Sequence, residues 1–150
     1  MLATRFGNLV LAGMSRHLEW ITLGTMAVQL DPLRCVIVDD NPHFLAAATN
    51  VLERQGIKIV GTFNTSADAI RGIEALRLDV VMVDVDLGEE SGIELAERIH
   101  QHISFPPPVV LMSAHDEQDF ADVIDACPAT GFLPKSSLSA RAIAEILGRC

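Results

Sequence analysis

The chain has 150 residues, 49% of them apolar, and a formal charge of −9 that results from 11 basic and 20 acidic side chains. This length suits one compact domain with a buried core and is too short for two ordinary domains. The acidic balance argues against direct contact with nucleic acid, which needs clustered Lys and Arg, and favours a soluble protein that binds cations or basic partner surfaces.

Three cysteines, Cys35, Cys127 and Cys150, are widely spaced and form no CxxC pair. An odd number without such a pair argues against both a disulfide framework and a zinc site. Cys35 lies within an apolar run, which is typical of a small buried side chain. We therefore expect a reducing environment and a cytoplasmic location.

The N-terminal segment, residues 1–32, is moderately apolar but interrupted by charged side chains. It lacks the basic start and clean apolar block of a signal peptide, and no apolar run in the chain approaches the roughly 18 residues of a membrane span. We expect a loosely attached extension that forms a short helix or is mobile. The alternative is an overlong start, with Met14 or Met26 as the true first residue.

After Pro32 apolar runs alternate with amphipathic segments. The apolar runs, which predict strands, lie at 35–38, 57–61, 80–83, 109–112 and 131–133. The helices predicted after them begin at Asn41-Pro42, Ser66, Ser91-Gly92, Asp116, and Ser137 or Ser139. This alternation predicts an α/β fold over residues 33–150. We expect a doubly wound, flavodoxin-like sheet of five parallel strands in the order 2-1-3-4-5, with five helices on its two faces.

Polar side chains stand where four of the predicted strands end. Asp39-Asp40 follows the first strand, Asp84 the third and Ser113 the fourth, and Lys135 comes shortly after the fifth. Taken singly, an Asp or Ser here often caps the next helix, and a lysine is usually solvated. In a parallel sheet, however, these ends share one edge. Three carboxylates there repel one another unless a cation is present, and Mg²⁺ with a phosphate group would complete the set.

On these residues and their intervals, the sequence resembles the receiver domain of bacterial two-component response regulators from Leu33 to about Leu147. The resemblance implies a phosphoprotein of a signalling phosphorelay. Asp84 would accept a phosphoryl group from a sensor histidine kinase or a phosphotransfer protein. The acidic pair would bind Mg²⁺, and Ser113 and Lys135 would hold the phosphate.

The resemblance also implies a division of roles among the acids. Asp40, Asp84 and the backbone carbonyl of Asp86 are expected to bind Mg²⁺. Asp39 is expected to act through water or by orienting Lys135. As a receiver, the chain would catalyse only its own phosphorylation and dephosphorylation.

Four further residues receive expected roles from the same resemblance. Ala114 is small enough to admit the phosphate, and Phe132 either rotates inward on phosphorylation or is plain core. Asp86 and His115 flank the path of the attacking water and would tune the phosphate lifetime. Asp86 would either orient that water or repel hydroxide, and the alternative for His115 is a plain exposed loop residue. The expected partner surface comprises the fourth helix, fifth strand and fifth helix, with a downstream protein target or a second copy of the chain as partner.

Three short segments depart from the family pattern. Leu87-Gly88 stands where the family often has Met-Pro, and Ser136 follows the lysine where proline is frequent. Cys127-Pro128-Ala129 replaces a frequent Gly-Ala. None of these changes removes a group that the chemistry needs, so we expect them to alter the shape of the loops.

Three alternatives remain open at this point. Asp84-Val85-Asp86 resembles the DxD of haloacid-dehalogenase phosphatases, although in that family it ends the first strand. A binding module that has kept the fold and lost the switch is a second alternative. The third open point is the output: the chain is expected to be either a stand-alone receiver or the N-terminal receiver of a truncated DNA-binding transcriptional regulator.

Overall fold

The computed structural model describes residues 19–23, 26–114 and 125–148, and the chain divides into two units between Leu33 and Arg34. In the first unit, β1 (Glu19–Leu23) and β2 (Met26–Leu30) pair as an antiparallel hairpin. We expected a short helix or a mobile extension here and did not predict strands. The sequence signal missed is Gly24-Thr25 between two runs of β-formers, because a glycine followed by one residue is a sequence pattern typical of positions between two paired strands.

The second unit is built around a parallel sheet. In chain order its elements are β3 (Arg34–Val38), α1 (Pro42–Arg54), β4 (Lys58–Phe63), α2 (Ser66–Ala75), β5 (Val80–Asp84), β6 (Asp86–Leu87), β7 (Glu90–Ser91), α3 (Gly92–His102), β8 (Val109–Ser113), β9 (Gly131–Pro134) and α4 (Ala140–Ile146). Five strands lie in the order β4-β3-β5-β8-β9 with parallel pairing throughout. When only the five strands of this sheet are numbered in chain order, the arrangement is the predicted 2-1-3-4-5. The predicted fold class is confirmed.

The three central strands are buried along nearly their whole length. Their continuous Val, Ile, Leu and Met content is typical of strands covered on both faces. The register pairs Val38 with Val83 and Ser113 with Pro134, so that neighbouring strands end at the same level. All four polar strand ends predicted from the sequence therefore meet at one edge of the sheet.

The helix caps agree with the sequence pattern except at α2. The side chains of Asn41, Ser91 and Ser139 cap α1, α3 and α4. Thr65, rather than the predicted Ser66, caps α2, because its hydroxyl accepts a backbone N–H of the first turn and Ser66 is already helical. The predicted helix at 116–126 falls almost entirely outside the described residues. Within the described ranges, no helix is long and apolar enough to cross a membrane.

Candidate functional site

The carboxyl edge of the sheet gathers the polar residues that the sequence singled out. Asp39 and Asp40 directly follow β3, Asp84 ends β5, Ser113 ends β8, and Lys135 directly follows β9. Asp39, Asp84 and Ser113 are buried, whereas Asp40 is exposed. One carboxylate oxygen from each of the three aspartates lies within 4.8 Å of the others, which is close enough to share a metal ion.

Lys135 is a counterion of this acidic cluster. Its Nζ lies 2.7 Å from Asp39 Oδ2 and 3.1 Å from Asp84 Oδ2. Burial by itself disfavours the ammonium charge, but the hydrogen bonds and charges of the two carboxylates outweigh this cost and raise the pKa of Lys135. The lysine is therefore charged at neutral pH and offsets part of the negative charge at the sheet edge.

Asp84 lies in an environment that disfavours its charge. Burial raises the pKa of its carboxyl group and the charge of Asp39 adds to the effect, while the Asp86 N–H and Lys135 act against it. The Asp86 N–H donates to Asp84 Oδ1 at 3.1 Å, and Lys135 donates to Oδ2. The net result is a raised pKa. A carboxylate in this position is stabilised by any cation that binds beside it.

The segment after Asp84 forms a small hairpin, which explains the departure from the family pattern at Leu87-Gly88. β6 pairs antiparallel with β7, and Gly88 in the turn has a φ of +75°, a left-handed conformation closed to proline. A Cβ at this position would lie 3.0 Å from Asp40 Oδ2. Glycine therefore permits the turn and leaves room for the Asp40 carboxylate.

The structure locates three of the four remaining predicted residues. Asp86 is exposed, and its Oδ1 accepts the Gly88 N–H at 3.3 Å. Ala114 is exposed directly after β8, and Phe132 is only 9% exposed and belongs to the hydrophobic core. His115 lies outside the described residues. The switch role of Phe132 and the tuning roles of Asp86 and His115 stay predictions.

Glu90 is a residue of this region that sequence reasoning missed. Its Oε1 accepts the Ser66 N–H at 2.8 Å, at the first residue of α2. A carboxylate there satisfies a helix N–H that has no partner within the helix and interacts favourably with the helix dipole. This hydrogen bond of Glu90 and the buried side chain of Leu87 anchor the β6–β7 hairpin to the rest of the domain. The two bonded residues are 24 positions apart, so no local pattern reveals the contact.

Replacing Glu90 with alanine should lower the free energy of unfolding by about 1–2 kcal/mol, because the Ser66 N–H loses its acceptor in a half-buried place. Equilibrium urea unfolding measures the loss. Glu89→Ala removes the adjacent, exposed carboxylate and should stay within about 0.5 kcal/mol of the wild type. Equal losses in the two variants would contradict the anchoring role of Glu90.

Comparison with known proteins assigns the family. The family model described as "Response regulator receiver domain" matches residues 35–147, and the chain belongs to this family. A receiver domain is the phosphate-accepting signalling module of two-component systems, and family members interact with histidine kinases and downstream effectors. The expected identification is confirmed.

Individual relatives agree with this assignment. The DNA-binding transcriptional activator EvgA of Escherichia coli (strain K12) is 26% identical over 114 residues, which cover 76% of this chain and 55% of EvgA. The signal receiver domain of the putative response regulator NarL from Mycobacterium tuberculosis superposes with a TM-score of 0.66 at 28% identity, covering 79% of this chain and 93% of that one. A LuxR-family regulator from Aurantimonas sp. SI85-9A1 gives a TM-score of 0.68 at 25% identity, with 79% and 87% covered. The chain thus spans about half the length of EvgA.

Proposed function

We propose that this receiver domain accepts a phosphoryl group on Asp84 from a sensor histidine kinase or a phosphotransfer protein, with Mg²⁺ as cofactor. The observation that carries the proposal is the position of Asp84. It is buried at the end of β5, close to Asp39 and Asp40, and hydrogen-bonded to Lys135. Phosphoryl transfer depends mainly on positioning and charge neutralisation, and these residues supply both.

The acidic cluster fits a hard divalent cation. Its carboxylate oxygens lie close together. Burial raises the pKa of the Asp84 carboxyl group, and a bound cation would lower that pKa again. We propose that Asp40, Asp84 and the backbone carbonyl of Asp86 would hold Mg²⁺, while Asp39 would act through water and through its ion pair with Lys135. When bound, Mg²⁺ would offset negative charge on the phosphoryl oxygens.

In the transfer step, a carboxylate oxygen of Asp84 attacks phosphorus in line. The new O–P bond forms as the N–P bond of the phosphohistidine breaks, and the imidazole leaves with the electron pair. Lys135 then pairs with one phosphoryl oxygen, and the hydroxyl of Ser113 donates to another. The small, exposed side chain of Ala114 leaves the approach to Asp84 open.

Phosphorylation changes the charge at Asp84 from about −1 to about −2 and adds strong acceptors. Ser113 would move toward the phosphate and take the loop after β8 with it. Phe132 would repack below this loop, and the surface of the fourth predicted helix, β9 and α4 would change for a downstream protein or a second copy. The buried position of Phe132 is compatible with the inward state of such a switch.

The output of the whole protein is a separate proposal. EvgA is described as a DNA-binding transcriptional activator, and this chain matches 55% of its length. We propose that the receiver acts either by itself through protein contacts or as part of a transcriptional regulator. In both cases we propose a cytoplasmic location. The charge of −9 supports a role without nucleic-acid contact inside these residues. The phosphatase alternative has less support because Asp84-Val85-Asp86 comes at the end of β5, the third strand of the parallel sheet, whereas the DxD of that family ends the first strand.

Asp84→Asn should abolish phosphorylation by acetyl phosphate, because the amide is not a nucleophile for phosphorus. The wild-type protein and an Asp86→Asn control should each gain one phosphoryl group in intact-mass spectra, in a reaction that requires Mg²⁺. Undiminished labelling of Asp84→Asn, or wild-type labelling that does not need Mg²⁺, would refute the proposal. Sustained turnover of a phosphomonoester would favour the phosphatase alternative.

A further inference from the structure

The ammonium of Lys135 has a third neighbour besides the two carboxylates. The ring of Phe44, on the first turn of α1, lies under the ammonium with 4.3 Å between Nζ and the ring centroid. The face of an aromatic ring carries negative partial charge and attracts a cation, more strongly when water is excluded. Only 19% of the Lys135 side chain is exposed, so the ring takes a place that solvent would otherwise occupy.

Asp39 sets the position of both partners. Its Oδ2 binds Lys135, while its Oδ1 accepts the Asn41 N–H at 2.8 Å. The side chain of Asn41 in turn accepts the N–H groups of His43 and Phe44 and thereby begins α1. One fully buried carboxylate thus places the lysine and, through the cap of α1, the aromatic ring.

We propose that Phe44 is a positioning residue for Lys135, holding its ammonium at the site and shielding the lysine–phosphoryl ion pair from water. The inference rests on the proposed phosphorylation of Asp84. Phosphorylation and metal binding both change the negative charge and the hydrogen-bond acceptors that Asp39 and Asp84 present to the ammonium of Lys135. The attraction requires the ammonium to lie over the ring face but does not depend on where its N–H bonds point, so the ring keeps the ammonium close while its hydrogen-bond partners change.

The contact with Phe44 can be observed without phosphorylation. The chain contains only two lysines, Lys58 and Lys135, so isotope labelling of lysine gives two side-chain NMR signals. The ring current should shift the ε-CH₂ protons of Lys135 upfield, with exposed Lys58 as the internal reference. The shift should persist in Phe44→Tyr and vanish in Phe44→Leu. An unshifted wild-type signal would overturn the inference.

The half-life of the phosphorylated protein tests whether Phe44 shields the lysine–phosphoryl ion pair from water. Phe44→Leu, which keeps apolar bulk but lacks the ring face, should shorten the half-life by about threefold, and Phe44→Tyr should restore it. His43→Ala, at an exposed neighbouring position of α1, is the control with an unchanged half-life. Equal half-lives for wild type and Phe44→Leu would overturn the inference. Absence of any label on the wild type would instead refute the proposed function, and the NMR shift would still decide the role of Phe44.

Discussion

Lys135→Met should destabilise the metal-free protein by about 3 kcal/mol at neutral pH, because removal of one partner leaves buried charges uncompensated. The charges are those of Asp39 and Asp84, which lie 2.7 and 3.1 Å from the ammonium. Methionine keeps an unbranched apolar chain, so the loss reports mainly on charge rather than packing. Equilibrium urea unfolding in the presence of EDTA measures the difference.

The loss of unfolding free energy in Lys135→Met should shrink as the pH falls. The pKa of Asp84 is raised in the folded state, so its charged form destabilises the fold at neutral pH and protonation removes that penalty, together with the charge that Lys135 compensates. Lys135 itself, whose pKa is also raised, stays charged throughout the acid range and loses its charge only in alkali, so the change on acidification comes from Asp84. Lys58→Met, at an exposed position of β4, should match the wild type at every pH. A deficit of Lys135→Met that does not change with pH would contradict this electrostatic account.

Gly92→Ala should lower the free energy of unfolding by about 3 kcal/mol or more. The added methyl group is forced against the backbone of Asp84, the residue proposed to accept the phosphoryl group. A Cβ at Gly92 would lie 1.9 Å from the carbonyl oxygen of Asp84 and 2.9 Å from Val83 Cγ1. No side-chain rotation relieves a clash with buried backbone. The midpoint of urea unfolding should fall sharply, and Mg²⁺ binding measured calorimetrically should weaken as Asp84 is displaced.

The matched control is Gly61→Ala on β4. Its Cβ would meet the ring of Phe63 at 3.3 Å, and a side chain of this kind can move by the few tenths of an ångström required. This variant should lose far less stability than Gly92→Ala. Similar unfolding midpoints for the two variants would show that close packing of Gly92 against Asp84 does not constrain the site.

The fold was predictable because local patterns encode most of it. Continuous apolar runs mark the central strands, and cap residues such as Asn41 and Ser91 mark the helix starts. The site followed from topology, since the carboxyl ends of parallel strands share an edge. β5, β8 and β9 each extend one residue beyond their apolar runs, so Asp84 and Ser113 lie within β5 and β8 rather than beyond them.

The parts that sequence reasoning missed depend on contacts between distant residues. Glu90 binds the start of α2 across 24 positions, and Phe44 meets Lys135 across the sheet edge. Neither residue belongs to a motif, and each has an ordinary surface or core explanation on its own. The turn at Gly88 became interpretable only when its distance to Asp40 was known, because the need for a small residue arises from the neighbouring carboxylate.

The central claim is that Asp84 itself carries the phosphoryl group, and chemical location of the acyl phosphate tests it most directly. The protein is phosphorylated with acetyl phosphate and Mg²⁺, reduced with borohydride, which converts an aspartyl phosphate to homoserine, and digested for peptide mass spectrometry. Homoserine should be found at position 84 and not at positions 39, 40 or 86. Homoserine at one of those other positions, with Asp84 intact, would contradict the assignment of the acceptor.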